Sequence, residues 1–392
     1  MTLRNSTTVL AGQSADAGVW RVLTLRGDGA LSAHADEWDD LHARCSAATP
    51  FVSHAWLHSW WRSYGRRGRL VLVLVCFGDR LVAAAALVRS RRAGLPVLTL
   101  VGSGLSDFGD VLVDDSYAPE AARRLALGVA AQARGGVVDL SELRPTAAAW
   151  RMIDAWPART WRLPASACLE LPGRPIEELI TALARHSARV LRRKLRKIDS
   201  QGVQTRLVGT DEAANAIAGL LRLHREEWRG RGMNPEHGQP RFATHLMRAA
   251  TALVARDQAA LREYRLDGQL VAVALTMIGH DVVGAYLYGF DPDLRSRIDV
   301  SMLMLRENLA LTHRLGRASL SMLRGDEPHK RRLRPTVVYN QRALLAGPGQ
   351  VTAGMYALAV IGRARLADNV KTRLPAALGP IRSIRSWLRS CT

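Results

Sequence analysis

The chain has 392 residues, a length that suggests two or three domains with substantial hydrophobic cores. Hydrophobic residues make up 48% of it and charged residues 23%, which excludes an intrinsically disordered protein. Its longest apolar runs, at residues 81–88 and 270–278, are far shorter than the roughly 20 residues that cross a bilayer. Because the first 30 residues lack the apolar stretch of a signal peptide, we expect a cytoplasmic protein. The cysteines lie far apart without zinc-ligand spacing, so we predict no metal site.

The positive charge lies in the second half of the chain. There are 55 Lys and Arg residues against 35 Asp and Glu residues, a formal net charge of +20. Residues 1–180 hold 20 basic and 18 acidic residues, whereas residues 181–392 hold 35 and 17. A basic half of this kind attracts polyanions such as nucleic acid, anionic lipid or a phosphorylated ligand.

The first half of the sequence predicts a sheet with flanking helices. Residues 1–18 carry no periodic apolar pattern, and we expect them to be disordered. The predicted strands that follow lie at 20–25, 97–101 and 137–140, and the predicted helices at 31–44 and 119–134. A further helix is predicted to begin after Ser53, its N-cap candidate. Gly78-Asp79 joins apolar runs at 70–77 and 81–89, a spacing typical of a β-hairpin. The prolines between residues 157 and 176 indicate a linker.

The second half repeats this order of elements. The pattern predicts a long helix at 177–200, a strand at 205–208, helices at 211–229 (capped by Thr210 or Asp211) and 241–256, antiparallel strands at 259–266, 270–278 and 282–290, a helix at 299–315 and a strand at 318–323. Each half has a meander, a helix and a final strand. We therefore predict two related α/β domains, at 19–165 and 166–348, followed by a basic tail at 349–392.

Three stretches carry a resemblance to a known family. They are Phe51-x4-Trp56-x3-Trp60-Trp61, residues 101–110 (VGSGLSDFGD) and residues 323–332 (LRGDEPHKRR). With these stretches and the order of elements, residues 50–345 resemble the tandem-GNAT acetyltransferases of the CelD/BcsL (BioF-like) type, distant relatives of the FemABX aminoacyl transferases. The last stretch is the most specific, although His329 stands where the family has Tyr and Ser321 where it has Asp.

The resemblance implies both a fold and a reaction. The fold is two GNAT-like domains, each a mixed, largely antiparallel sheet flanked by helices. The reaction is transfer of an acyl group from acyl-CoA to the amine of a small molecule or peptide, by direct attack and without a metal. Two alternatives stay open: an aminoacyl-tRNA donor, as in FemABX relatives, and a basic binding protein on an inactive scaffold.

The resemblance also selects candidate residues for catalysis. The attacking amine must lose a proton, so a base is needed near the acyl carbon. Asp326 is the first candidate, with His329 and Lys330 beside it at the end of the last strand. Tyr288 is a candidate for lining the thioester or protonating the leaving thiolate, and is equally typical of a packing residue. The substrate-binding candidates are His224, Trp228, Arg324, and the loop residues Asp107 and Asp110, for which a structural loop is the alternative.

A coenzyme A site needs main-chain N–H groups that point at a pyrophosphate, as at a helix N-terminus. The candidates are Arg295, Arg297, Val300 and Ser301, where the helix at 299–315 begins, with Arg193 on the preceding basic helix. This loop has no glycine and Asp299 would repel a phosphate, so an ordinary capped helix is the alternative.

Two basic segments are candidate partner surfaces. Residues 185–197 hold seven basic and no acidic residues around an apolar stripe made of Leu183, Val190, Leu191, Leu195 and Ile198. This pattern indicates either a solvated face or a surface for coenzyme A phosphates, a phosphorylated acceptor or tRNA. The tail at 351–392 predicts an amphipathic helix that contacts a membrane surface, grips tRNA or packs on the protein.

Overall fold

The computed structural model describes residues 6–8, 18–92, 94–229, 234–325, 328–349 and 353–362. In this part, the chain forms two compact units. The first holds the described residues up to Ala165 and from Asn340 onward, and the second is Ser166–Tyr339. Residues 340–348, which we predicted in the second domain, therefore belong to the first unit.

The elements have the following bounds. The strands are β1 Ser6–Thr8, β2 Trp20–Leu25, β3 Leu70–Phe77, β4 Arg80–Arg92, β5 Leu95–Leu100, β6 Leu112–Val113, β7 Val137–Leu143, β8 Thr160–Pro172, β9 Gln204–Leu207, β10 Ala259–Leu266, β11 Gln269–Ile278, β12 Val282–Phe290, β13 Ser319–Arg324 and β14 Thr336–Ala346. The helices are α1 Ala30–Ala33, α2 Ala35–Ala43, α3 His54–Tyr64, α4 Ala118–Gln132, α5 Ala149–Asp154, α6 Ile176–Thr181, α7 Arg185–Asp199, α8 Thr210–Glu227, α9 Pro240–Val254, α10 Pro292–Arg297, α11 Val300–Arg314 and α12 (residues 353–362).

The first unit is built around a sheet with the strand order β1-β2-β3-β4-β5-β7-β14, and β6 pairs with β4. The β3–β4 hairpin turns at Gly78, whose φ of 59° suits a residue without a Cβ. β5 and β7 are parallel, and β14 is antiparallel to β7. The helix α4 packs against β2, β3 and β4 through an apolar face that includes Leu125 and Val129.

The second unit has a similar plan. Its strand order is β8-β13-β12-β11-β10-β9, to which β8 contributes residues from Ser166 onward. β12 and β13 are parallel and are joined by α11, while the other neighbours are antiparallel. The apolar face of α7 packs into a core that includes Tyr264, Phe290 and Leu309. This arrangement places the beginning of α11 next to the end of β12.

The strong patterns of the sequence are confirmed. The hairpin, the three-strand meander of the second half and the helix before the last strand all occur within a few residues of their predicted bounds. Ser53 caps α3 by accepting a hydrogen bond from the main-chain N of Trp56. Apolar periodicity over a long segment is the most direct consequence of burying one face, so these elements were predictable.

Four local predictions are wrong. The proline-containing segment at 157–176 is not a linker but contains β8, where Cys168, Leu169 and Leu171 are buried. The helix expected at 177–200 is interrupted between α6 and α7, and the one expected at 31–44 is interrupted at His34. The N-cap of α8 is Gly209, and no side chain caps that helix.

The chain ends fall largely outside the described residues. The short strand β1 lies inside the segment that we expected to be disordered, and the rest of residues 1–17 is not described. Of the predicted amphipathic tail, residues 353–362 form α12, while residues 350–352 and 363–392 lie outside the described part. None of the helices described is both long and apolar enough to span a membrane.

Candidate active site

β12 and β13 part from each other one third of the way along β12. Their parallel pairing covers only Val282–Gly284 with Ser319–Ser321, and β12 then runs on to Phe290. Leu323, which has a φ of 54°, lies where they part: its side chain is 3.0 Å from the point that a Cβ on Gly284 would occupy. The main chain of residues 285–290 is therefore outside the β13 ladder.

β12 is also irregular on its other side. Leu275 of β11 lies opposite Leu287, but its neighbour Thr276 lies opposite Ala285. Tyr286 is thus the extra residue of a β-bulge, which bends the strand locally and re-aims its side chains. Bulges are concentrated beside active sites, and this one lies next to the point where β12 and β13 part.

The helix α8 lies directly on the second half of β12. A Cβ on Gly289 would overlap the main-chain N of His224 and the main-chain O of Leu220, so only glycine permits this approach. His224 is buried, and its Nδ1 lies 2.7 Å from the main-chain O of Tyr288. The helix therefore fixes an imidazole against β12 beyond the point of divergence.

A second histidine lies against the first. The Nε2 of His224 is 3.1 Å from the Nδ1 of His237, and the ring of His237 stacks on buried Phe242 at 4.6 Å between centroids. Burial lowers the pKa of His224, and burial together with His224 lowers the pKa of His237 to about 4. Both rings are therefore neutral near pH 7.

The beginning of α11 is dominated by Asp299. Its side chain caps the helix at the main-chain N of Met302 and pairs with Lys194 of α7, at 2.7 Å, and with Arg332. Burial raises the pKa of Asp299, but the hydrogen bond from Lys194 and the charges of Arg332 and Lys194 outweigh it, so this pKa lies below its usual range. Asp299 is therefore ionised at neutral pH.

The family of the second unit follows from a match that spans these features. The family model described as an acetyltransferase (GNAT) domain matches residues 185–331, from α7 to the segment after β13. Residues 185–331, within the second unit, match a GNAT acetyltransferase domain. The chain therefore carries an acyltransferase domain, and both the histidine pair and Asp299 lie inside it.

FemX and a lysylphosphatidylglycerol synthetase domain share the fold of more than four fifths of this chain. FemX is 10% identical with a TM-score of 0.58, and the match covers 83% of this chain and 98% of FemX. The C-terminal domain of a putative lysylphosphatidylglycerol synthetase from Agrobacterium fabrum is 12% identical with a TM-score of 0.51, covering 86% and 97%. A tandem GNAT protein from the clavulanic acid biosynthesis pathway is 14% identical with a TM-score of 0.42, covering 84% and 100%. No curated protein matches the sequence significantly.

The GNAT domain does not offer a pyrophosphate cradle at the beginning of α11. The carboxylate of Asp299 already accepts from the first turn and would repel a phosphate there. The preceding loop contains α10 where close approach to a phosphate would need glycine, and Asp291 caps that helix. Val300, a predicted cofactor residue, is part of the hydrophobic core. The residues present here do not fit the pyrophosphate of coenzyme A.

The predicted cations near this helix have other partners. Arg295 stacks on Phe290, 5.0 Å from the ring centroid, and its Nη2 lies 3.4 Å from Glu227. Arg297 donates to the side chain of Gln201. Ser301 is half-buried in the first turn of α11, and Arg193 is exposed on α7. Arg295 and Arg297 therefore already contact other side chains in the described structure.

The end of β13 holds the most specific motif. Lys330 donates from Nζ to the main-chain O of Arg324 at 3.2 Å, so it closes the turn after the strand. Ser321, where the family has Asp, is buried and accepts from the main-chain N of Leu323. Asp326 and the side chain of His329 lie outside the described residues.

The aromatic candidates lie on both sides of the histidine pair. Tyr288 packs against the core beside Phe290, with ring centroids 6.0 Å apart. Trp228 is half-buried, its ring centroid is 6.1 Å from that of His224, and its Nε1 meets no acceptor among the described residues. No group of His, Cys, Asp and Glu in the described part could hold a metal ion.

The loop at 102–110 is built into the first unit. Asp110 is buried and its carboxylate accepts from the main-chain N of Ala148 and Ala149, so it caps the segment that enters α5. Burial raises the pKa of Asp110 to about 7 against the lowering effect of these hydrogen bonds. Asp107 is buried, and its main-chain O accepts from Asn340 at 3.4 Å. Both aspartates lie in a packed loop of the first unit.

The outer face of α7 is strongly basic. Ala188, Leu191, Leu195 and Ile198 are buried, which confirms the predicted amphipathic helix. Six cations on the opposite face are exposed and make no ion pair with any described residue: Arg185, Arg189, Arg192, Arg193, Arg196 and Lys197. We call this set the α7 basic face. Lys194, on the inner side, pairs with Asp299.

Proposed function

We propose that the protein is an N-acyltransferase in which a bound amine attacks an activated acyl group directly. The divergence of β12 and β13 inside a GNAT domain carries the proposal. In residues 285–290, the main-chain N–H groups that point away from β11 are outside the β13 ladder, so they are suited to the oxygen that gains negative charge during attack. The acceptor is a small molecule or a peptide with a primary amine.

The first candidate donor is an acyl thioester of coenzyme A. The GNAT family match supports it, because acyl-CoA is the usual donor for this type of domain. Since Asp299 occupies the beginning of α11, coenzyme A would have to place its phosphates elsewhere, and the α7 basic face offers exposed cations.

Thermal unfolding in the presence of acetyl-CoA, longer acyl-CoAs and free coenzyme A tests this donor. A ligand present at 100 times its Kd stabilises the native state by about 2.7 kcal/mol. We expect a rise in Tm with the thioesters at micromolar concentration. No shift with any thioester would remove acyl-CoA as the donor and leave the second candidate.

The second candidate donor is an aminoacyl-tRNA. Two observations favour it. The helix N-terminus that would receive a pyrophosphate carries Asp299, and the α7 basic face holds six exposed cations that make no ion pair with any residue the structure describes. Two proteins of the same fold, FemX and a lysylphosphatidylglycerol synthetase domain, add support. Transfer of a labelled amino acid from a charged tRNA pool to an amine acceptor would identify this donor.

The motif after β13 should contribute to catalysis. We expect Asp326→Ala and Lys330→Ala to lower the rate of acyl transfer by roughly 10-fold or more, since a positioned acid–base group is worth at least that. Arg334→Ala, which removes a cation just beyond the same motif, is the matched control. Unchanged rates in both variants, with normal thermal unfolding, would remove this motif from the active site.

We further propose that the protein acts in the cytoplasm and that its basic tail makes peripheral contact with a membrane. The charge of the second half of the chain supports an anionic surface as a partner. A vesicle-flotation assay with and without residues 363–392 tests this contact.

A further inference from the structure

A directed chain of hydrogen bonds runs outward from β12. A main-chain oxygen can only accept, so the Nδ1 of His224 must donate its hydrogen to Tyr288. The Nε2 of neutral His224 then carries a lone pair, and His237 must donate to it from Nδ1. In this series of hydrogen bonds, the lone pair that is left over is on the Nε2 of His237.

The lone pair on the Nε2 of His237 has the weakest partner in this series of hydrogen bonds. The Nδ2 of Asn234 lies 3.5 Å from the Nε2 of His237, which is long for a hydrogen bond. The other side of this amide is fixed, because its oxygen accepts from the main-chain N of Glu236. Asn234 therefore turns its donor side to the Nε2 of His237, as the tautomer deduced from His224 requires.

We propose that the Nε2 of His237 takes the proton from the attacking amine, and that His224 is the positioning residue that orients it. This assignment rests on the proposed acyl transfer. His237 belongs to the 3₁₀ turn Pro235–Gly238, between α8 and α9, and the hydrogen bonds through His224 tie it to β12 just past the divergence from β13.

The proposed reaction balances in protons and electrons. The amine nitrogen forms a bond to the acyl carbon, and its proton passes to the Nε2 of His237. The Nδ1 proton of His237 can move to the Nε2 of His224, which spreads the positive charge over both rings. The bond from the acyl carbon to sulfur or oxygen breaks, and the leaving group takes the proton back from the pair.

Two carboxylates close to the pair in sequence have arginine partners. Glu236, next to His237, forms a two-point ion pair with Arg241, and buried Glu227 on α8 pairs with Arg295. Burial and His224 lower the pKa of His237 overall, and they outweigh the charge of Glu236, which raises this pKa. The pair remains neutral and able to accept until an amine arrives.

The variant His237→Asn separates the two roles of the residue. An asparagine amide can still donate to the Nε2 of His224, but it has no basic nitrogen in place of Nε2. With acetyl-CoA and a charged tRNA pool as donors and butylamine as the probe acceptor, we expect kcat to fall by about 100-fold or more. With 2,2,2-trifluoroethylamine, a weakly basic amine that is unprotonated at neutral pH, we expect a smaller loss. His313→Asn, an exposed histidine on α11, is the matched control.

Nitrogen-15 NMR of labelled histidine tests the hydrogen-bonded pair without any substrate. We expect both neutral rings to carry hydrogen on Nδ1, and we expect His237 to remain neutral down to about pH 5. In His224→Asn, the neighbour that lowers the pKa of His237 is gone, so its titration should move upward. Hydrogen on the Nε2 of His237 in the neutral protein would overturn the proposal.

The kinetic outcomes are equally decisive. If His237→Asn transfers to butylamine within threefold of the wild type, the proposal is wrong while the proposed function stands. Equal losses with both amines would indicate a structural role and would also overturn it. If the wild type transfers to neither amine from either donor, the proposed function fails and the base assignment fails with it, whatever the NMR spectrum shows.

Discussion

Replacing Arg189, Arg192, Arg193 and Arg196 with Gln is expected to weaken tRNA binding roughly 100-fold at moderate salt. The α7 basic face presents six exposed cations that have no acidic partner in the described part of the chain. Each cation that neutralises a phosphate releases a counterion. With six such contacts, the affinity of the wild type should fall by about 10³-fold between 50 and 200 mM salt. The variant keeps two of the six cations, and its affinity should fall by only about 10-fold over the same range. Fluorescence titration of a labelled tRNA across this range measures both quantities.

A second quadruple variant distinguishes an effect of the α7 basic face from an effect of the lower net charge. Arg123, Arg151, Arg162 and Arg222 are also exposed, but each is already paired with an acidic residue. Replacing these four with Gln changes the net charge by the same amount, and we expect a much smaller loss of binding. If both quadruple variants behave alike, the α7 basic face is an ordinary solvated surface and loses its support for a tRNA donor.

The basic face could be predicted from sequence because it depends on local periodicity. The apolar residues of 185–197 recur at helical spacing, so burying them on one side exposes the cations on the other. The interruption before α7 could not be predicted in this way. Residues 182–184 carry no proline or glycine, and α6 and α7 are separated by their packing against α11.

β8 shows why composition misled the prediction at the domain boundary. The prolines between 157 and 176 are typical of a linker, yet Pro172 is the last residue of a strand that pairs with β13. A strand inserted beside a partner more than a hundred residues later leaves no local signal. Its burial, including Leu169 and Leu171, comes from tertiary contacts alone.

The candidate site was predictable only in part for a similar reason. His224 was selected from its place before an acceptor-side loop, but His237 was missed. The signal was weak: a histidine thirteen residues further on, in a segment rich in glycine and proline. Asp299 was expected to repel phosphate, but its ion pairs with Lys194 and Arg332 join three separate elements and have no sequence signature.

Replacing Gly289 with Ala should destabilise the GNAT domain by about 3 kcal/mol, which corresponds to a fall in Tm of roughly 6–12 °C. The new Cβ would overlap main-chain atoms of His224 and Leu220, which cannot rotate away as side chains can. The only relief is a shift of α8 away from β12, and this shift would break the hydrogen bond from His224 to the main chain of Tyr288. Differential scanning calorimetry and the transfer rate measured below the new Tm report the two effects.

Gly209→Ala provides the matched control for this substitution. Gly209 precedes the same helix, has an ordinary negative φ, and a Cβ there would meet no atom within 4 Å. We expect its Tm to fall by no more than a few degrees, because alanine is only a somewhat poorer N-cap than glycine. If Gly289→Ala unfolds at the same temperature as Gly209→Ala, then α8 does not rest on β12 at this residue. In that case, the contact between His224 and Tyr288, on which the whole histidine pair depends, would have to be abandoned.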